Sequence, residues 1–463
     1  MNRSTIAAVA TPVGRGGIGI VKISGTRSIA IARAIFKRAG QTSSGTEAFA
    51  SHRLYHGYIV DPETGNSVDE VLLAVMRAPR TYTREDVVEI QAHAGPVVIQ
   101  SILDLALQQG ARLAEPGEFT KRSYLNGRID LTQAEAVVDV INAETKKALE
   151  IATAQIKGGI GHRITATRDV LVQILTETEA AIDFPEEVKE IMDGGGVYDI
   201  IQRDVIQRLG TLIEKHEAAH FFRDGLQVVI VGRPNVGKSS LLNAFIMEDR
   251  AIVTPIPGTT RDIIRETCRF GDIPVTISDS AGLHQTIDPV ETLGIEKTLE
   301  QIDRSDLVLF MVEAGATMTE EERNAFERIT EKPKILVQNK IDLVISKECD
   351  SPPGEEDTFA GVRISAIYGW GIERLKDEIV RMAIGDQGPD MGHLIVPNIR
   401  HKRCLQQSLE ASISAAEGIR NGGMPELVAI DIKEAIDALG EIIGISPKKD
   451  VLDDIFDKFC IGK

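Results

Sequence analysis

The sequence predicts a multidomain protein of α/β and all-α parts, with one α/β unit of the P-loop type inserted into a helical domain. Three observations carry this. Strand-length apolar runs between glycine turns fill residues 4 to about 125. Helix-period apolar recurrence dominates two later stretches, 131–222 and 398–459. Between those stretches the texture returns to α/β at Leu226–Val231, which leads into a glycine-rich loop. Neither helical flank alone has enough apolar surface to close a core, so the two are expected to pack together around the inserted unit.

Size and charge narrow the class. A chain of 463 residues with 43% hydrophobic content suits several globular domains. Its 4 cysteines form no Cys-x-x-Cys pair, which argues against a disulfide framework or zinc ribbon and for a reducing compartment. The run Ile6 to Ala10 is too short for a signal segment, and no stretch approaches the ~20 apolar residues of a membrane span. A cytoplasmic location follows by elimination. The formal net charge of -17 excludes wrapping nucleic acid over the whole surface. Residues 1–125 hold 14 Lys/Arg against 11 Asp/Glu, while the rest hold 38 against 58. The N-terminal third is therefore the part suited to an anionic ligand, although ordinary variation between domains produces the same imbalance.

The N-terminal elements read as strands at Thr5–Ala10 and Ile18–Ile23 around the turn Gly14-Arg15-Gly16-Gly17. Further strands are expected at Tyr55–Val60, Glu70–Met76 and Val87–Gln91, with a helix over Pro96–Gln108. From Pro116 onward the periodicity becomes helical. One helix is expected over Leu131–Ile156, another over Ile164–Ile182, and an amphipathic one over Asp199–Phe222. After the inserted unit, helices are expected over Asn398–Asn421 and Pro425–Phe459.

The loop Gly232-Arg233-Pro234-Asn235-Val236-Gly237-Lys238-Ser239 carries the most chemistry. Gly232 and Gly237 let the backbone curl so that its N–H groups surround phosphate oxygens. The following helix, starting with Ser240, adds its positive dipole end. Lys238 reaches for the β- and γ-phosphates, and the Ser239 hydroxyl is placed to ligate Mg²⁺. An ordinary strand-to-helix turn would explain this motif alone, but three more motifs follow in order. Gly258-Thr259-Thr260 offers Thr260 as a second Mg²⁺ ligand. A strand then ends in Asp279-Ser280-Ala281-Gly282, with a Walker-B carboxylate at Asp279 and a γ-phosphate-sensing N–H at Gly282. Another ends in Asn339-Lys340-Ile341-Asp342. The Asp342 carboxylate can accept from N1–H and the N2 amine of guanine; adenine offers neither donor. Ser365 and Ala366 complete a base pocket, so GTP is the expected nucleotide.

Catalysis needs a group to align water and a positive charge near the β–γ bridge. Leu283 occupies the place after Asp-x-x-Gly where Ras-like enzymes carry glutamine, and it cannot hydrogen-bond. Glu291 is the candidate replacement; its bland alternative is a solvated glutamate at a helix start. Asn235 can offer its side-chain carbonyl to a monovalent cation in place of an arginine finger.

Taken together, the residues resemble the MnmE (TrmE) family of tRNA-modifying GTPases. The carriers are Ala10-Thr11-Pro12, Gly14-Arg15-Gly16-Gly17, Tyr82-Thr83-x-Glu85-Asp86 and Glu115-Pro116-Gly117-Glu118-Phe119. Ala180-Ala181-Ile182-Asp183-Phe184-Pro185, the nucleotide motifs and Phe459-Cys460-Ile461-Gly462-Lys463 complete the set. The resemblance implies an N-terminal α+β folate-binding and dimerising domain (1–122) and a discontinuous helical domain (123–222 and 385–463). It also implies an inserted Ras-like GTPase domain (223–384). The implied hydrolysis is potassium-activated, with K⁺ held by Asn235, Thr254, Ile256 and Thr259. The loop Thr254-Pro255-Ile256-Pro257-Gly258 wraps the ion beside GTP, and Glu291 orients the water.

By the same resemblance the chain is a homodimer that joins an FAD-dependent partner in a heterotetramer or larger assembly. The pair adds a (carboxymethyl)aminomethyl group at C5 of the wobble uridine of certain tRNAs. A 5-formyl- or methylene-tetrahydrofolate supplies the carbon, at Lys22, Glu89, Arg128 and Lys463. This sequence departs from the family pattern where Lys22 replaces a common Arg and Arg128 a common Lys. Cys460 reads either as a catalytic thiol or as a buried or incidental residue. His401, in Arg400-His401-Lys402-Arg403, reads as part of a solvated basic turn. The competing function is an RNA-binding assembly GTPase that acts as a switch on ribosomes, since the nucleotide motifs alone do not separate the two.

Overall fold

The computed structural model describes residues 4–12, 14–40, 49–183, 196–249, 265–279, 301–330, 332–344, 361–385, 395–445, 447 and 449–463. The chain forms two compact units. One comprises Met1–Val138, Ile156–Val172 and Ile436–Lys463; the other comprises Asp139–Gln155 and Gln173–Ala435. Among the described residues no helix is long and apolar enough to cross a membrane.

The first unit is built on a sheet of β1 (Ile6–Val9), β2 (Gly16–Ser24), β3 (Phe36–Arg38), β4 (Arg53–Val60), β5 (Ser67–Met76), β6 (Val87–Ala94) and β7 (Arg112–Leu113). Its order is β3-β4-β5-β6-β2-β1-β7. All pairs are antiparallel except β1 with β7. Alternation decides which face is covered. Val21, Ile23, Leu73, Val75, Val88 and Ile90 are buried in one cluster with Ile31 and Ile35 of helix Ser28–Ile35 and Ile102 of helix Pro96–Gln108. The latter helix has the predicted limits, with proline in its first turn, where a missing N–H costs nothing. A smaller cluster joins Leu131 and Ala134 to Ile455, Phe456 and Phe459.

The second unit holds β8 (Leu226–Gly232), β9 (Arg265–Phe270), β10 (Ile273–Asp279), β11 (Leu307–Glu313), β12 (Lys334–Asn339) and β13 (Val362–Arg363). The order is β13-β12-β11-β8-β10-β9, and only β9 is antiparallel to its neighbour. Both faces of the sheet are covered, as the unbroken apolar runs in β8 and β11 require. Val228, Ile230, Leu309 and Met311 face one cluster, while Val229, Val308, Phe310 and Val312 face the other. Helices Gln207–Asp224 and Ile399–Arg420, one before and one after this sheet in sequence, pack on each other.

Several helices differ from expectation. The Leu131–Ile156 segment is two helices, Leu131–Asn142 and Lys146–Ile156. Thr145 starts the second by accepting from Ala148 N–H at 3.1 Å, a local bond that competes with continuing the first. Helix Pro425–Ile443 stops short of Phe459, and Lys449–Phe456 is separate. Gly444 takes φ +84°, and the N–H groups of Gly444 and Ile445 both return to Gly440 O, a left-handed glycine cap. The helix expected from Asp199 begins at Gly196 and carries a π-helical stretch, Ile201–Ile206, before Gln207.

His401 also departs from its expected place. It is fully buried. Asn398 Oδ1 accepts from His401 N–H at 2.7 Å, and Asn398 N–H donates to His401 Nδ1 at 3.3 Å. The histidine is thus half of a helix cap rather than part of a solvated turn.

Candidate functional site

The nucleotide motifs gather at the C-terminal ends of parallel strands. Order reverses around β8, the switch point where open α/β sheets leave a crevice. β8 ends at Gly232, and helix Lys238–Asp249 opens with Lys238, Ser239 and Ser240 in its first turn. Lys238 is buried and donates to Gly232 O at 2.8 Å and Arg233 O at 2.9 Å. The ammonium is thereby tethered over the loop it would serve. Asn235 is exposed at φ +66°, a left-handed conformation that asparagine tolerates, and its side chain has no hydrogen bond to a described residue. That carbonyl is available to a cation.

The base-reading loop is tied to the phosphate loop through Asn339. This side chain is 3% exposed, donates to Val236 O at 2.8 Å and accepts from Ala366 N–H at 3.0 Å. One buried amide therefore holds both loops. Gly237 makes the approach possible: at φ +99° a Cβ would lie 2.2 Å from Asn339 Nδ2. Ser365 Oγ donates to Asp342 Oδ1 at 2.6 Å and so sets the plane of the carboxylate. Lys340, at φ +67°, pairs with Glu313 at 3.0 Å. Asp279 ends β10 beside β8, in register with Ile230. Thr254, Pro255, Ile256, Pro257, Gly258, Thr259, Thr260, Ser280, Ala281, Gly282, Leu283 and Glu291 lie outside the described residues.

A second site forms in the first unit. Lys22 on β2 and Glu89 on β6 are directly paired across the strands, so their side chains share a face. Lys22 Nζ lies 3.9 Å from Glu89 Oε1. It also lies 5.6 Å from the Tyr82 ring centroid and 5.2 Å from that of Phe119. Burial lowers the lysine below its ordinary pKa of 10.5, Glu89 pulls the other way, and nearby Lys463 adds to the lowering. Arg128 stacks on the Tyr82 ring at 4.8 Å and donates to Tyr82 O at 2.9 Å. Phe119 N–H donates to Lys463 O at 3.1 Å.

Lys22 and Arg128, with Glu89 and Lys463 close to Lys22, thus meet two aromatic rings, Tyr82 and Phe119, that were not among the expected site residues. Their signal in the sequence was their place in Tyr82-Thr83-x-Glu85-Asp86 and Gly117-Glu118-Phe119. Behind them, Arg122 bridges Glu85 at 3.0 Å and Glu118 at 2.9 Å and fastens the two segments together. Cys460 is exposed rather than buried. Among the described residues no cluster of three or more His, Cys, Asp or Glu side chains is suited to a metal ion.

Two family descriptions match the chain. "MnmE helical domain" covers residues 131–460, and "GTP-binding protein TrmE N-terminus" covers residues 5–128. The chain belongs to the MnmE family. Among MnmE relatives, the tRNA modification GTPase MnmE of Heliobacterium modesticaldum is 44% identical over 99% of both chains. That of Acetivibrio thermocellus is 43% identical, again over 99% of both. Among solved structures, the FeoB G-domain from Methanococcus jannaschii is 23% identical, with a TM-score of 0.26 over 35% of this chain and 98% of its own.

Proposed function

We propose that this protein is a GTP hydrolase acting in tRNA modification, potassium-activated and working with a flavoprotein partner. Together they add a (carboxymethyl)aminomethyl group at C5 of the wobble uridine, with a one-carbon unit from 5-formyl- or methylene-tetrahydrofolate. The observation that carries this reading is the pairing, in one chain, of a guanine-reading loop with a separate site where Lys22, Glu89, Arg128 and Lys463 converge. A GTPase that served only as a switch would have no use for the second site. Full-length likeness to proteins named tRNA modification GTPase supports the same reading.

In the nucleotide site, Asp342 would accept from guanine, and Ser365 and Ala366 would border the base, with the Ala366 N–H held by Asn339 Oδ1. Lys238 exchanges its two loop carbonyls for phosphate oxygens. Ser239 and Thr260 would hold Mg²⁺; Asn235, Thr254, Ile256 and Thr259 would hold K⁺. The two ions would neutralise charge at the β–γ bridge. Glu291 orients the attacking water, because Leu283 cannot. In the second site, Glu89 accepts from pterin amino groups, and Lys22, Arg128 and Lys463 attract the carboxylates of the folate. The domains follow residues 1–122, 123–222 with 385–463, and 223–384. The chain acts as a cytoplasmic homodimer.

Nucleoside analysis of tRNA from cells lacking this chain tests the reading as a whole. Loss of the C5 modification at the wobble uridine is expected; normal tRNA would reject it. GTP turnover should be about tenfold or more faster in K⁺ than in Na⁺ at equal ionic strength. Equal rates would remove the cation from the mechanism.

A further inference from the structure

Beside the Lys22–Glu89 site the first unit carries a cavity of 440 Å³ lined by Arg80, Thr81, Tyr82, Arg84 and Arg128, among others. Three arginines line it. Among the described residues none of the three has a carboxylate within ion-pair distance. The acids of the same loop are engaged elsewhere. Glu85 takes Arg122 and the Ser24 hydroxyl, and Asp86 Oδ1 accepts from Ala78 N–H at 2.9 Å. Positive charge is therefore concentrated in one recess without a counter-charge among the described residues, the electrostatic form of an anion site.

The recess is built, not incidental. Arg84 Nη1 donates to Asn126 O at 3.0 Å, Asn126 Nδ2 donates to Thr83 O at 2.6 Å, and Arg128 Nη1 donates to Tyr82 O at 2.9 Å. Two segments distant in sequence are stitched so that their arginines face one space. Arg84 holds φ +58°, a left-handed backbone that a long side chain rarely adopts. One donor on each of Arg84 and Arg128 is used by these bonds; a guanidinium has five. The rest can take bidentate carboxylates.

Tyr82 joins this recess to the neighbouring site, since its ring lies 4.8 Å from the Arg128 guanidinium and 5.6 Å from Lys22 Nζ. An extended ligand seated against Lys22 and Glu89 would pass Tyr82 and enter the recess. We propose that the Arg80–Arg84–Arg128 cavity binds the oligo-γ-glutamyl tail of a reduced folate, so that the polyglutamylated form is the preferred ligand. This rests on the folate reading of the Lys22–Glu89 site. A compact group of three arginines suits successive carboxylates on one short chain. A nucleic-acid backbone calls instead for a basic stripe.

The test compares 5-formyl-tetrahydrofolate as monoglutamate and as pentaglutamate, titrated calorimetrically into the full-length protein and into the double variant Arg80→Gln/Arg84→Gln. The wild type should bind the pentaglutamate about tenfold or more tightly. In the double variant the ratio of the two affinities should fall to about one, with monoglutamate binding showing that the unit is folded. Equal affinities in the wild type would overturn the tail site and leave the folate reading standing. No binding of either form would overturn the folate reading and this proposal with it. A double variant that keeps its pentaglutamate preference but loses affinity for tRNA would assign the recess to nucleic acid and overturn the proposal.

Discussion

The Lys22–Glu89 site and the nucleotide loop are held together by different means. In the first, strand register does the placing. Lys22 and Glu89 face each other because β2 and β6 are paired residue by residue, and two aromatic rings flank the lysine. In the second, loops at strand ends do the placing, and a single buried amide, Asn339, spans them. A sheet makes a stiff floor that tolerates a desolvated cation. A loop pair wrapped round a nucleotide can tighten as the ligand arrives, which a nucleotide-dependent switch requires. The contrast suggests that the first site is built around one ligand shape and the second around a change of state.

The largest effect that tests this contrast is expected at Lys238. Lys238→Ala removes the cation tethered over the phosphate loop, and GTP turnover should fall by about 10²–10³-fold in a steady-state assay. A smaller loss would mean that the loop backbone and metal ions suffice. Next comes Asp342→Asn, which takes away the acceptor for the guanine amine. GTP affinity measured by nucleotide fluorescence should drop roughly 10- to 100-fold, with preference shifting towards a base that presents an acceptor there. Unaltered base selectivity would place recognition elsewhere.

Asn339→Ala probes the bridge itself. Loss of a buried amide that satisfies Val236 O and Ala366 N–H should cost about 1–3 kcal/mol, read as a lower denaturant midpoint. If stability held while only affinity fell, the two loops would be independently rigid. The smallest effect is expected at Lys22, and its sign differs between stability and binding. The lysine's folded pKa is depressed, so its charged form opposes folding; that cost is present at neutral pH and is relieved as pH rises from the lowered value to the ordinary 10.5. Lys22→Met should therefore leave the melting temperature unchanged or raise it by about a few degrees, while weakening folate binding. In the wild type, folate affinity should decline at alkaline pH, beginning below the ordinary lysine value of 10.5, because the neutral amine no longer attracts carboxylates. A melting temperature that fell in Lys22→Met would show that the Lys22–Glu89 pair stabilises the sheet, and the contrast between the sites would narrow.

Legibility followed locality. Strands β8, β10 and β12 were readable because each is a short apolar run that leads straight into a nucleotide motif, and helix Pro96–Gln108 because its start carries proline. The helix stop at Gly444 was missed. A single glycine inside an apolar period reads as a tolerated interruption until its φ of +84° is known. The restart at Thr145 was missed for the same reason: a threonine becomes a cap only when the preceding turn fails to continue. His401 was misplaced because a run of basic residues looks solvated, whereas its ring is needed to close a helix start.

By itself the sequence determined the nucleotide chemistry and the family. Those depend on short contiguous motifs, in which each residue type has one physical use and neighbours in sequence are neighbours in space. Tertiary structure alone decided that Lys22, Tyr82, Glu89, Phe119, Arg128 and Lys463 meet, and that Arg80, Arg84 and Arg128 share a recess with no carboxylate among its described lining residues. Strand register and the return of the last residues to Phe119 bring those groups together, and both are long-range pairings that no local pattern encodes.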